Sequence, residues 1–324
     1  MIPVRILGTA TALPGRPVGT AEVVARCMPD KDPARIEVKT GIRTRHWAEP
    51  GALMSDLAAA ALRDATTAAG LEVGDLRRVI LATSTGGDCI GPATANAVIH
   101  ALGIDNRCDG FDVVNACMGF LTAFDLAARS VATGLHPVGV VSVEMMSRYI
   151  RPEDPRPYVV FGDAAGAAVL GPGRPGEGIL GVHAGNDGGN GGTVYADQSS
   201  LTRKVEHVKF AIPNGDMGRL VIDAIRGSAE AVLAQCGARL ADIDWVLPHQ
   251  PNGSMLDTIV ETLGIDLARV VRVVDEVGSV VAASVPISLD RLMRTRPVKP
   301  GDRILMIGVG SGLAYGAILY RVAP

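Results

Sequence analysis

Aromatic residues are scarce: two Trp, five Tyr and five Phe make up 4% of the 324-residue chain. A surface that stacks nucleobases needs such rings in number, so a nucleic-acid platform is excluded. A formal net charge of -3 gives no bulk attraction to nucleic acid or to an anionic membrane either. No uninterrupted apolar run reaches the roughly 20 residues of a membrane span. The first residues, MIPVRILGTATALPG, hold one arginine and a short apolar patch broken by glycine and proline. They lack the long apolar centre of a signal peptide. The five cysteines (Cys27, Cys89, Cys108, Cys117, Cys236) form no CxxC pair, and none stands at metal-ligand spacing from another Cys or His. An odd, scattered set fits reduced thiols better than a disulfide framework. These absences predict a cytoplasmic protein with no metal site and no nucleic-acid or membrane partner.

What is present is apolar residue: 48% of the chain, against 20% charged. At this length the chain buries a large core, arranged as two domains or as one duplicated unit. Short β-branched runs at 79–82, 138–143, 169–170, 245–247, 270–274 and 304–309 read as buried strands. Ala-rich segments at 54–69, 121–132 and 220–235 read as helices, each followed by a glycine (Gly70, Gly134, Gly237) where a left-handed cap fits. The stretch 171–202, rich in Gly, Asn and Asp, reads as turns between two halves. Strands alternating with helices indicate an α/β layered architecture.

Self-comparison sharpens this. Gly70-x4-Asp75-Leu76-x2-Val79-Ile80 recurs as Gly237-x4-Asp242-Ile243-x2-Val246-Leu247. Ala101-Leu102-Gly103-Ile104-Asp105 recurs as Thr262-Leu263-Gly264-Ile265-Asp266, and Gly166-Ala-Ala-Val-Leu170 is echoed by Gly316-Ala-Ile-Leu-Tyr320. Three blocks in one order imply two similar halves, 1–171 and 172–324, with a site where they meet.

Two residues stand where such a fold places chemistry. Cys117 lies in Phe111-Asp-Val-Val-Asn-Ala-Cys117-Met-Gly-Phe, at a strand-to-helix junction. Helix N-terminal amides lower a thiol pKa, which predicts a thiolate nucleophile; the competing reading is a small buried hydrophobe. His249, in Trp245-Val-Leu-Pro-His249-Gln-Pro-Asn252, ends a strand of the second half. A neutral imidazole there either assists a reacting thioester or satisfies turn amides. The glycines of Gly308-Val-Gly310-Ser311-Gly312 allow close backbone approach, and their N–H groups serve either an oxyanion or a tight turn. Neither a phosphate loop nor a dinucleotide fingerprint is present.

Taken together, these motifs resemble the ketoacyl-acyl-carrier-protein synthase III family of the thiolase superfamily along nearly the whole chain. The resemblance rests on Thr40-Gly41-Ile42-Arg43, the Cys117 block, Phe161-Gly-Asp-Ala-Ala-Gly-Ala-Ala-Val-Leu170, Pro248-His249-Gln250-Pro-Asn252, Gly278-x-x-x-Ala282-Ala-Ser-Val-Pro286 and the glycines around Gly310. It implies a thiolase-like duplicated α/β/α/β/α five-layer fold and a homodimer. It further implies Cys117 as the acyl-accepting nucleophile, His249 beside the acyl oxyanion, and the backbone N–H groups of Cys117 and Ser311 as an oxyanion hole. No cofactor is bound permanently; the acyl donor is the phosphopantetheine thioester of an acyl carrier protein, or CoA.

One departure directs the functional expectation. The family pattern Gly-Asn-Thr-Ser-Ala-Ala-Ser reads Gly278-Ser279-Val280-Val281-Ala282-Ala283-Ser284, so Ser279 replaces an asparagine that donates to the enolate during decarboxylation. Loss of one such donor costs about 3 kcal/mol. The expectation is therefore an acyltransferase that loads Cys117 and passes the acyl group on without decarboxylation, in polyketide or other secondary metabolism. His249 would act as base and Ser279 would orient the acceptor. The alternative is a decarboxylative 3-oxoacyl synthase that initiates fatty acid or polyketide chains, and a third reading is a non-catalytic partner subunit. Where the family binds the CoA nucleotide with tryptophan and arginine, the chain has Arg35 and Lys39, which favours a carrier protein. Ser254 stands at a carrier-docking basic position, and Arg203, Lys204 and Lys209 offer another basic patch. Asn252 is expected to contact substrate, with Cys89 and Ile90 lining the acyl pocket.

Overall fold

Every residue of Val138–Met145 is buried, and the segment (VGVVSVEM) carries the continuous aliphatic run of a strand covered on both faces. The computed structural model describes residues 1–324, the side chain of Asn214 excepted. The strand is the middle of a five-stranded sheet ordered Val4–Ala12, Asp163–Pro172, Val138–Met145, Arg78–Thr83 and Asp109–Val114. Its first two pairings are antiparallel and its last two parallel. A second sheet repeats the pattern in the order Gly178–Asn186, Ala314–Arg321, Arg303–Gly310 and Trp245–Pro248. Again two antiparallel pairings precede a parallel one, and a parallel bridge from Val246 to Val270 takes the fifth strand's place.

Between the sheets lie the helices Gly119–Ala132 and Ser284–Thr295, buried through Phe120, Leu121, Phe124, Val285, Leu289 and Leu292. Small residues on the sheets let them approach: a Cβ on Gly166 would lie 2.9 Å from Pro286 Cβ. Helices Met54–Ala68 and Thr94–Leu102 cover the outer face of the first sheet; Asn214–Gln235 covers the second, with Gly253–Leu263 beside it. The result is five layers, helices alternating with sheets. Among the described residues no helix is long and apolar enough to cross a membrane.

The repeated sequence blocks occupy equivalent places. Asp75 and Asp242 each accept a backbone N–H, from Glu72 and Arg239, in a 3-10 turn that leads into a strand. Gly103 and Gly264 end their helices in left-handed conformation (φ 71° and 64°), as do Gly70, Gly134 and Gly237 beyond theirs. Two expectations fail. The stretch 171–202 contains the strand Gly178–Asn186, whose Gly- and Asn-rich sequence has little intrinsic β preference but pairs with Ala314–Arg321. Conversely, 270–274 is no strand. The N–H groups of Val273 and Val274 donate to Gln250 Oε1 rather than to a ladder, and a helical turn starts at Val274.

Candidate active site

The strand Asp109–Val114 leads into a 3-10 turn, Ala116–Met118, and then directly into the helix Gly119–Ala132. Ala116 takes φ 45°, a conformation unfavourable for a residue with a Cβ and sustained here by the packed helix behind it. This elbow presents Cys117 to a cavity of about 1620 Å³ that His249, Asn252, Ser279 and Ser311 also line. The backbone N–H groups of Cys117 and Ser311 both act on the sulfur in the sense that favours its anion. The second reaches it because residue 310 is glycine: a Cβ there would lie 2.9 Å from the Cys117 nitrogen. Two amides converging beside a sulfur can hold the oxyanion of a tetrahedral thioester adduct.

The electrostatics correct the expected thiolate. Burial pushes the Cys117 thiol up to about 12, with the Glu144 carboxyl adding to the rise, and the two amides offset only part of this. Desolvation outweighs the helix start, so Cys117 rests as a thiol. Glu144 itself, at the end of the buried strand Val138–Met145, accepts from the Ser84 N–H (3.0 Å) and the Ser84 hydroxyl (2.7 Å), and the Ala282 backbone also favours its anion. Burial pushes its carboxyl up to about 8 against those bonds. His249 follows the strand Trp245–Pro248, with its N–H on the Ile307 carbonyl at 2.7 Å. Burial pushes its imidazole down to about 4, the Val281 backbone acting in the opposite sense. The ring is therefore neutral at pH 7. Its Nδ1 lies 2.9 Å from Ser284 Oγ.

Ser279 is held by its backbone: its N–H donates to the Val160 carbonyl (2.8 Å) and its carbonyl accepts from Gly162 N–H (3.0 Å). Two carboxamide side chains line the cavity wall, Asn252 and Gln198, and position 279 itself carries a hydroxyl. Asn252 Oδ1 caps the helix Gly253–Leu263 by accepting from Met255 N–H at 2.8 Å. Lys39, Cys89 and Ile90 line the cavity, the last two at its exposed rim with Ile90 95% exposed. Arg35 does not. Its side chain is 89% exposed, 3.8 Å from Asp32, because its helix turns it to the outside. The basic patch is also smaller than expected, since Lys209 Nζ binds Asp197 (2.6 Å) and Glu206 (3.0 Å). Sequence reasoning missed Glu144, Ser84 and Ser284. A lone carboxylate at the end of an aliphatic strand was the available signal for the first, and the Gly278–Pro286 motif already contained the last.

The family model described as 3-oxoacyl-[acyl-carrier-protein (ACP)] synthase III matches residues 111–188, and the model of its C-terminal part matches 233–322. A β-ketoacyl-[acyl-carrier-protein] synthase III of Rhizorhabdus wittichii is 37% identical over 319 residues, 98% of each chain. The crystal structure of 3-oxoacyl-(acyl carrier protein) synthase III from Pseudomonas aeruginosa superimposes with TM-score 0.89 at 29% identity, covering 99% of both chains. The priming β-ketosynthase of the R1128 polyketide pathway does so with TM-score 0.89 at 33% identity, covering 99% of this chain and 96% of its own. The thiolase-like fold that the motifs implied is the fold observed.

Proposed function

From the premise that the chain belongs to the 3-oxoacyl-[acyl-carrier-protein] synthase III family, we propose a chain-initiating, decarboxylative 3-oxoacyl synthase acting through an acyl-Cys117 intermediate. In the first step the Cys117 sulfur attacks an acyl thioester of a carrier protein or CoA. The backbone N–H groups of Cys117 and Ser311 hold the oxyanion, and the carrier thiol leaves with the proton that Cys117 gives up. In the second step a malonyl-type thioester loses CO2, and the resulting enolate attacks the acyl carbonyl. A 3-oxoacyl thioester leaves, and the Cys117 thiolate takes up a proton.

The observation that carries this reading is the neutral, buried His249. An imidazole pushed down to about 4 is a weak base at pH 7, which disfavours the expected role of deprotonating an acceptor hydroxyl or amine. A neutral ring still donates an N–H to an enolate oxygen, which is what condensation asks of it. Relatives 34–37% identical over nearly the whole chain bear the synthase name, which supports the same choice.

A second reading, transfer without decarboxylation, keeps one observation in its favour: Ser279, with no amide in its place. On the condensing reading this loss lowers the rate by about a hundredfold, a cost of about 3 kcal/mol. We further propose a carrier protein as partner and a homodimer, supported by the exposed Ile90 and Val114 beside the edge strand Asp109–Val114.

Intact-mass analysis after incubation with acyl-carrier and acyl-CoA donors tests the first step. An adduct is expected on the parent and none on Cys117→Ala. Malonyl-carrier protein is then added, and CO2 with a 3-oxoacyl product is expected. Discharge of the acyl group to an acceptor without CO2 would overturn condensation in favour of transfer.

A further inference from the structure

His249 is buried (3% exposed) and turns Nδ1 away from the cavity towards Ser284 Oγ, 2.9 Å distant and itself 1% exposed. Ser284 opens the helix Ser284–Thr295, and a polar chain fixes its place. Its carbonyl accepts from the Ser288 hydroxyl at 2.8 Å, and Ser288 Oγ accepts from Gln250 Nε2 at 3.1 Å. Gln250 Oε1 is in turn held by the N–H groups of Val273 and Val274, each at 3.0 Å. Gln250 adjoins His249, so this chain ties the imidazole and the serine to one rigid framework.

A neutral imidazole carries a single proton, on Nδ1 or on Nε2. The Ser284 hydroxyl has no hydrogen-bond partner other than Nδ1 among the described residues. A buried O–H left without an acceptor costs about 1–3 kcal/mol, so the hydroxyl is driven to donate to Nδ1. A ring nitrogen that accepts cannot carry the proton.

We propose that Ser284 is a positioning residue that donates its O–H to His249 Nδ1, keeps the ring proton on Nε2, and so aims an N–H at the enolate oxygen. The Val281 backbone is the other polar neighbour acting on the ring. The consequence for rate rests on the condensing reading above. The tautomer itself does not.

Nitrogen-15 NMR of the imidazole, assigned by loss of the signal in His249→Gln, reads the tautomer directly. The Nε2–H form is expected in the parent and in Ser284→Thr, and a shift towards Nδ1–H is expected in Ser284→Ala. CO2 release from malonyl-carrier protein should fall about tenfold or more in kcat for Ser284→Ala, with KM within about threefold. Acylation of Cys117 should persist by intact mass, and Ser284→Thr should recover most of the loss. An Nδ1–H parent, or a Ser284→Ala variant with parental tautomer and rate, would overturn the assignment. A parent that releases no CO2 defeats the condensing reading alone, because the NMR result still decides this one; if Ser284→Ala is too unstable to load, the tautomers of the parent and of Ser284→Thr decide it, an Nδ1–H form in either overturning the assignment.

Discussion

The two halves contain the same elbow and use it differently. In the first, Ala116 takes φ 45° and the next residue is Cys117; in the second, Val281 takes φ 47° and the next residue is Ala282. Each elbow leads into a helix of the middle layer, Gly119–Ala132 or Ser284–Thr295. The second elbow carries no nucleophile, and its contributions are structural. The Ala282 backbone favours the Glu144 anion, and the chain before it presents Ser279 to the cavity. The molecule thus holds two similar strained turns, at Ala116 and Val281. On the proposed function, one carries the reacting group and the other supports it.

That division can be tested, and the largest expected effect comes from the support side. On the condensing reading, Ser279→Asn should raise decarboxylation of malonyl-carrier protein by roughly ten- to a hundredfold by supplying an enolate donor, as measured by CO2 release. An unchanged rate would mean that an amide at position 279 is not what limits the reaction.

Glu144→Gln probes how the support acts on the nucleophile. Removing the carboxyl should lower the Cys117 pKa and speed its alkylation by iodoacetamide at pH 8 by about tenfold, since one pKa unit is tenfold in thiolate. The same change should alter stability against pH. The folded Glu144 titrates at about 8 against 4.5 for the ordinary side chain, so between those values the unfolded chain has released a proton that the folded one keeps. The fold therefore loses stability as pH rises through that window. His249, titrating at about 4 against 6.5, does the opposite: its contribution grows as pH rises from 4 to 6.5. In Glu144→Gln, denaturant midpoints should lose the decline between pH 4.5 and 8.

The smallest effects compare the elbows themselves. Ala116→Gly relieves the positive φ but adds freedom to the unfolded chain, so stability should move by no more than about 1 kcal/mol. Val281 is 5% exposed, and Val281→Gly additionally removes a buried side chain, so it should destabilise by about 2 kcal/mol in urea unfolding. Equal losses in the two would contradict a packing role confined to the second elbow.

Much of the fold was legible because its signals are local. Val138–Met145 and Arg303–Gly310 are buried on both faces and read as unbroken aliphatic runs, and the glycines after the helices mark their ends. Gly178–Asn186 was hidden because its pairing partner lies more than a hundred residues away, and 270–274 misled because Gln250 takes the amides that a strand would use. At the site, Cys117, His249, Ser279 and Ser311 line one cavity as their motifs suggested, while Arg35 points outward, a matter of helix orientation that composition does not record.

The sequence by itself determined the layered α/β class, the recurrence of its three blocks, and which side chains of reactive type stand at strand ends, since these follow from periodicity and from residue identity. Only the tertiary structure decided their protonation. The thiol is held above and the imidazole below its ordinary value by burial, which depends on what packs around each group. Glu144 and Ser284 gained their places beside Cys117 and His249 in the same way, because chain folding brings together groups that no local pattern relates.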